Sequence, residues 1–147
     1  MINFGLMAEK VFDESRFNGN TAIIIGSGLG KLADTLSDKC IISYNDIPHY
    51  PKSTIEGHDG ELVVGTFQNQ QIIAGKGRFH YYEGYSFQQI TIPIHLFHEL
   101  GVNNIIITNS SGSMNTNFAP GSFMIVNGHM DCTYRYDSSD PNIFRGN

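Results

Sequence analysis

Cysteine is scarce in this chain: Cys40 and Cys132 are the two among 147 residues. Two thiols build no disulfide framework, and their spacing suits no metal site, so they read as reduced thiols of a cytoplasmic protein. Long apolar runs are missing as well. No stretch approaches the roughly 20 residues that cross a bilayer. The opening MINFGLMAEKVFDESRF carries early charges and no apolar segment with a cleavage site, so no secretory signal and no membrane partner are expected. Basic charge is also short, with nine Lys and Arg against 14 Asp and Glu and a net charge of −5. Binding along a nucleic acid needs a basic face, which excludes nucleic acid as the main partner. A small phosphate ligand needs only a local cluster and stays open. Low-complexity tracts, internal repeats and linkers are absent. With 40% hydrophobic and 16% charged residues, the chain has the composition of one globular domain able to bury its own core.

What is present is glycine in clusters: Gly26, Gly28 and Gly30, then Gly57 and Gly60, Gly75 and Gly77, and Gly112. Most follow an apolar run that reads as a strand. Residues 6–18 have loosely helical spacing. Ala22 to Ile25 reads as a buried strand, and KLADTLSD after the first glycines suits a short helix. Glu61 to Phe67 and Gln71 to Ala74 are strand-like and joined by a hairpin turn at 68–70. Ser86 and Gln89 have capping-box spacing, opening a helix that runs to Leu100 and stops at Gly101, with a kink or restart expected at Pro93. Ile105-Ile106-Ile107 reads as another buried strand, and Phe123 to Val126 as a further one. Alternating strands and helices with one hairpin indicate an α/β fold with a mixed central β-sheet flanked by helices.

Four segments could carry chemistry. Gly26-Ser27-Gly28-Leu29-Gly30-Lys31 follows a strand and enters a helix, where backbone N–H groups collect anions. Its spacing fits neither a Walker A loop nor a dinucleotide fingerprint. A simpler phosphate loop with the Ser27 hydroxyl remains, as does a tight turn with no ligand. Arg78 and His80, two apart on an extended segment, would point the same way and offer a guanidinium and an imidazole to one oxyanion. Tyr82 continues that face toward a sugar; the alternative is an aromatic strand edge with a solvated arginine. His58 sits on a glycine-hinged loop, a position that on its own more often carries a solvated side chain. Thr108-Asn109-Ser110-Ser111-Gly112 follows a strand, and ligands of open α/β sheets gather at the carboxyl ends of strands. Ser111-Gly112-Ser113 lacks the spacing of a nucleophile elbow, so a serine hydrolase is not expected. His95 and His98, one helical turn apart, lack an obvious third metal ligand and fit a polar helix face.

Together, IIIGSGLG at 23–30, YPKSTIEGHDG at 50–60, GRFHYYEGY at 77–85, IPIHLFHELGV at 92–102 and ITNSSGSMN at 107–115 resemble the trimeric, low-molecular-mass class of purine nucleoside phosphorylases. The likeness runs from about residue 20 to about residue 130. The continuation of the Arg–His segment into YEGY favours this branch over the methylthioadenosine phosphorylases. The resemblance implies a nucleoside phosphorylase-like fold and reversible phosphorolysis of purine (deoxy)ribonucleosides to free base and (deoxy)ribose 1-phosphate. Inorganic phosphate is then the co-substrate, with no cofactor and no metal. It implies that Ser27, His58, Arg78, His80 and the backbone N–H of Ser110 bind phosphate, with His80, Arg78 and His58 as the catalytic set and Tyr82 on the ribose. It also implies a homotrimer when full length. Ser110, Ser111 and Ser113 stand where the family commonly has smaller residues, and Gly128 and Asp131 also depart from its pattern. Members are much longer, and their second half supplies purine recognition. Residues 1–147 are therefore expected to be the N-terminal part of a single phosphorylase domain, incomplete at the C-terminus and of little activity alone. A catalytically inactive remnant or interaction module, a phosphate- or nucleotide-binding protein unrelated to nucleoside cleavage, and a member of the methylthioadenosine phosphorylase branch are the competing readings.

Overall fold

The structure is a computed structural model that describes residues 2–52 and 60–128. The chain divides into two compact units, Met1–Ser110 and Ser111–Asn147. In the first unit, helix α1 (Phe4–Ser15) is capped by the Asn3 side chain, which accepts from the Leu6 N–H. Strand β1 (Thr21–Ile25) leads into a short helix α2 (Lys31–Asp34), followed by β2 (Ser37–Ser43), β3 (Glu61–Phe67), β4 (Gln70–Lys76), α3 (Phe87–Glu99) and β5 (Asn104–Ile107). The sheet order is β2-β3-β4-β1-β5. β2, β3 and β4 form an antiparallel meander, while β1 runs parallel to both β4 and β5. The expected mixed sheet is thus present, and the parallel trio gathers the carboxyl ends of β4, β1 and β5 at one end of the sheet.

Alternation along the strands feeds two cores. Ala22, Ile24, Leu62, Val64 and Ile73 face the larger one, with Met7 and Val11 of α1 and Ile92, Leu96 and Phe97 of α3. Their neighbours Ile25, Val63, Ile72 and Ala74 face the smaller one, closed by Ala33 and Leu36. The hairpin between β3 and β4 turns on Gln68 and Asn69, both with positive φ (47° and 64°), the pattern whose twist suits a two-residue connection.

Four local readings need correction. The helix after the first glycines ends at Asp34, not Asp38, because Ser37 onward pairs with β3, with a bulge between Ser37 and Cys40. Helix α3 continues through Pro93 without a restart, Pro93 being buried with Ile92, Leu96 and Phe97, so packing of the apolar face outweighs the lost N–H. Ile105, Ile106 and Ile107 are not buried: they are 38%, 51% and 61% exposed, since β5 is an edge strand beyond the cover of the helices. Phe123 to Val126, in the second unit, form no strand and are exposed. A β-prone run becomes a strand only where a neighbour takes up its backbone groups.

Candidate functional site

The chain leaves β1 through a turn in which the Leu29 N–H donates to the Gly26 carbonyl at 3.2 Å. Gly28, the third residue of that turn, has φ +86°, a conformation open to glycine at little cost. Gly26 is needed for a different reason: a Cβ there would lie 2.4 Å from the Thr108 carbonyl oxygen, so only glycine lets β1 and the end of β5 approach this closely. Ser27, between them, is exposed at the tip.

The segment after β4 supplies the opposite wall. Phe79 is buried in an aromatic cluster, its ring centroid 5.7 Å from Tyr44, 5.9 Å from Tyr50 and 5.0 Å from Tyr85. Tyr44 reinforces it by donating its hydroxyl to the Gly77 carbonyl at 3.0 Å. With Phe79 pinned inward, Arg78 and His80 are both turned to the other side, as their spacing predicts. Ser27, Arg78 and His80 line one cleft of about 440 Å³, together with Gly26, Gly28, Gly30, Lys76 and Gly77. A larger hollow of about 590 Å³, lined by residues 45–52, Ile2, Gln89 and Ile92, lies away from these groups.

Three side chains of the cleft, Arg78, His80 and Lys76, have partners. Arg78 Nη1 donates to the Thr108 carbonyl at 2.9 Å, leaving the rest of the guanidinium fork for a ligand. Thr108 is the joint of the site, because its Oγ1 also accepts from the Gly26 N–H at 2.8 Å and donates to the Ile24 carbonyl at 3.2 Å. His80 Nδ1 donates to Glu83 Oε1 at 2.6 Å. An ionised carboxylate cannot donate, so Nδ1 carries the proton and Nε2 is the ring's remaining polar atom. Lys76 Nζ lies 3.4 Å from Glu61 Oε2.

The other expected residues fall differently. Tyr82 is 82% exposed and outside the cleft lining; its ring stacks on His80 at 4.8 Å between centroids. Ser110 is exposed and two residues beyond Thr108, at the same end of the sheet but not among the lining residues. His58 lies outside the described residues, as does Cys132. Burial raises the Cys40 thiol above its ordinary range, which keeps it protonated and a poor nucleophile. His95 and His98 are exposed, with His95 against the Phe4 ring, and no group of three metal-ligating side chains occurs among the described residues. Thr108, Lys76, Glu61 and Glu83 were not assigned from sequence. The His80–Glu83 spacing was a usable signal, whereas the other three depend on strand register.

Residues 20–145 match the profile of the Phosphorylase superfamily. A purine nucleoside phosphorylase 1 of Geobacillus stearothermophilus is 47% identical over 109 residues, which is 74% of this chain and 40% of that protein. The mouse purine nucleoside phosphorylase is 40% identical over 124 residues, 84% of this chain and 43% of the relative. Among solved structures, isoform 2 of the Schistosoma mansoni purine nucleoside phosphorylase, in complex with cytosine and ribose-1-phosphate, superposes with a TM-score of 0.74 at 41% identity, covering 78% of this chain and 40% of that one. The chain thus spans about 40% of the length of such relatives. No helix among the described residues is long and apolar enough to cross a membrane. With the family profile matched over most of its length and the fold shared, this chain belongs to the Phosphorylase superfamily.

Proposed function

We propose that this chain carries the phosphate-binding part of a purine nucleoside phosphorylase, which reversibly converts a purine (deoxy)ribonucleoside and inorganic phosphate into free base and (deoxy)ribose 1-phosphate. The observation behind the reading is the convergence of the Ser27 turn, Arg78 and His80 on one cleft at the carboxyl ends of β1 and β4. Relatives named for this activity, and one solved with ribose-1-phosphate, support the substrate class. In this reading Arg78 and His80 grip the phosphate oxygens, the Ser27 hydroxyl and nearby N–H groups complete the shell, and the Ser110 N–H joins from the segment after β5, with His58 a further phosphate ligand by resemblance to the family. Tyr82, stacked on His80, then lies against the ribose.

The chemistry follows from holding an anion beside the sugar. A phosphate oxygen forms the new bond to the anomeric carbon while the bond to the purine nitrogen breaks and its electron pair leaves with the base. Positive charge develops on the sugar between these events, and a fixed anion beside it lowers that barrier. Holding phosphate and nucleoside together removes part of the entropic cost. Assembly into a homotrimer and a cytoplasmic location belong to the same reading, as does the use of phosphate without another cofactor.

Calorimetric titration of the chain with orthophosphate tests the site. The wild type is expected to bind and Arg78→Ala to lose at least about tenfold in affinity, the scale of one charge-assisted hydrogen bond. Equal affinity in the two would reject it.

A further inference from the structure

Lys76 is the one cationic side chain of the cleft to which the preceding reading gives no task. It ends β4, and the antiparallel register sets it directly opposite Glu61 of β3. Its Nζ reaches Glu61 Oε2 at 3.4 Å, with 39% of the lysine side chain and 31% of the glutamate still exposed. The stem extends toward the turn after β1: a Cβ on Gly30 would be 3.8 Å from Lys76 Cε. Lys76 therefore spans from the strand end to the glycine turn, and it shares the cleft lining with Ser27, Arg78 and His80.

That ion pair is weak by its geometry. It is long, single-pronged and partly hydrated, the class of pair that contributes little to folding. Lysine is also a compact charge on a flexible stem with three donors, able to pivot between partners where a guanidinium is fixed by its plane. Arg78 is committed on one side to the Thr108 carbonyl, and His80 to Glu83. Lys76 is thus the cation of the cleft most readily released.

From this geometry we infer that Lys76 is a further phosphate-binding group, held by Glu61 until phosphate enters the cleft and then transferred to it. Glu61 then acts as a competitor of the ligand, which tunes affinity downward and returns the lysine when phosphate leaves. The inference rests on the cleft being a phosphate site, as proposed above.

The test is calorimetric titration of the 147-residue chain with inorganic phosphate, comparing wild type, Lys76→Met, Glu61→Gln, the double variant and Arg78→Ala, with circular dichroism melts to establish folding. Lys76→Met should weaken binding about tenfold, the low end for a hydrogen bond to a charged group. Glu61→Gln should tighten it severalfold, and that gain should vanish in the double variant. A purely structural ion pair gives a different pattern, in which both single variants weaken binding alike; that result overturns the role of Lys76. If Arg78→Ala loses phosphate while Lys76→Met and Glu61→Gln keep wild-type affinity, the site stands and the inference about Lys76 falls. If the wild type takes up no phosphate, the site reading falls and the inference with it.

Discussion

Thr108 joins three parts of the cleft that are distant in sequence. Its carbonyl holds Arg78, while its hydroxyl takes the Gly26 N–H and reaches the Ile24 carbonyl. Thr108→Val keeps the shape and the carbonyl but removes the acceptor for the Gly26 N–H, which lies in a buried residue. An orphaned buried donor costs about 1–3 kcal/mol. The denaturant midpoint of Thr108→Val should fall accordingly, and phosphate affinity should fall with it as the turn holding Ser27 loosens. Thr108→Ser retains the hydroxyl and should restore most of both, so equal behaviour of the valine variant and wild type would remove Thr108 from the site. Ser27, Arg78 and His80 were legible in the sequence because each owes its position to a neighbour: a glycine on either side of Ser27, and a buried Phe79 between the other two. Thr108 stood in a segment notable for small residues, yet its bonds exist only once β1 and β5 are in register. Lys76 and Glu61 are likewise 15 positions apart, and the pairing of β3 with β4 is what joins them.

At the scale of elements, local chemistry was the most readable. The Ser86–Gln89 capping box is formed in both directions, the Ser86 Oγ accepting from the Gln89 N–H and Gln89 Oε1 accepting from the Ser86 N–H. Since α3 packs on the larger core, loss of this cap should be felt as stability. Ser86→Ala is expected to cost about 1 kcal/mol by chemical denaturation. A tertiary property defeated the reading of β5. Its isoleucines have the look of a buried strand, but burial depends on what lies beyond, and β5 pairs only with β1 among the described strands. Its other edge leaves backbone donors and acceptors beside exposed apolar side chains, the combination that invites strand addition by another chain. Ile106→Lys puts a charge on that edge and should reduce self-association in sedimentation velocity. An unchanged distribution of species would rule out β5 as its cause.

Across the whole molecule the mixed sheet and the convergence of its strand ends are what the sequence periodicity and glycine placement foretold, while the extent of burial at the sheet margin was not. The aromatic cluster beneath the cleft ties the stability of the fold to the geometry of the site. Burial pushes the Tyr44 and Tyr50 phenols well above their ordinary value, whereas in the unfolded chain both ionise near about pH 10. Above that point the unfolded state releases protons that the folded state retains, so the equilibrium moves toward unfolding as pH rises. The stabilising contribution is therefore complete below about pH 10 and is lost progressively above it, toward the raised folded values. Denaturant midpoints should fall as the pH is raised above about 10. Tyr44→Phe should flatten part of that slope, at the cost of the hydrogen bond to the Gly77 carbonyl. Lysines titrate in the same interval, so the difference between wild type and Tyr44→Phe, rather than the slope alone, isolates the phenol. Because Phe79 packs on both tyrosines and holds Arg78 and His80 outward, phosphate affinity should fail over the same interval as the fold. A pH slope identical in Tyr44→Phe and wild type would show that the buried phenol is not what ties the cleft to alkaline stability.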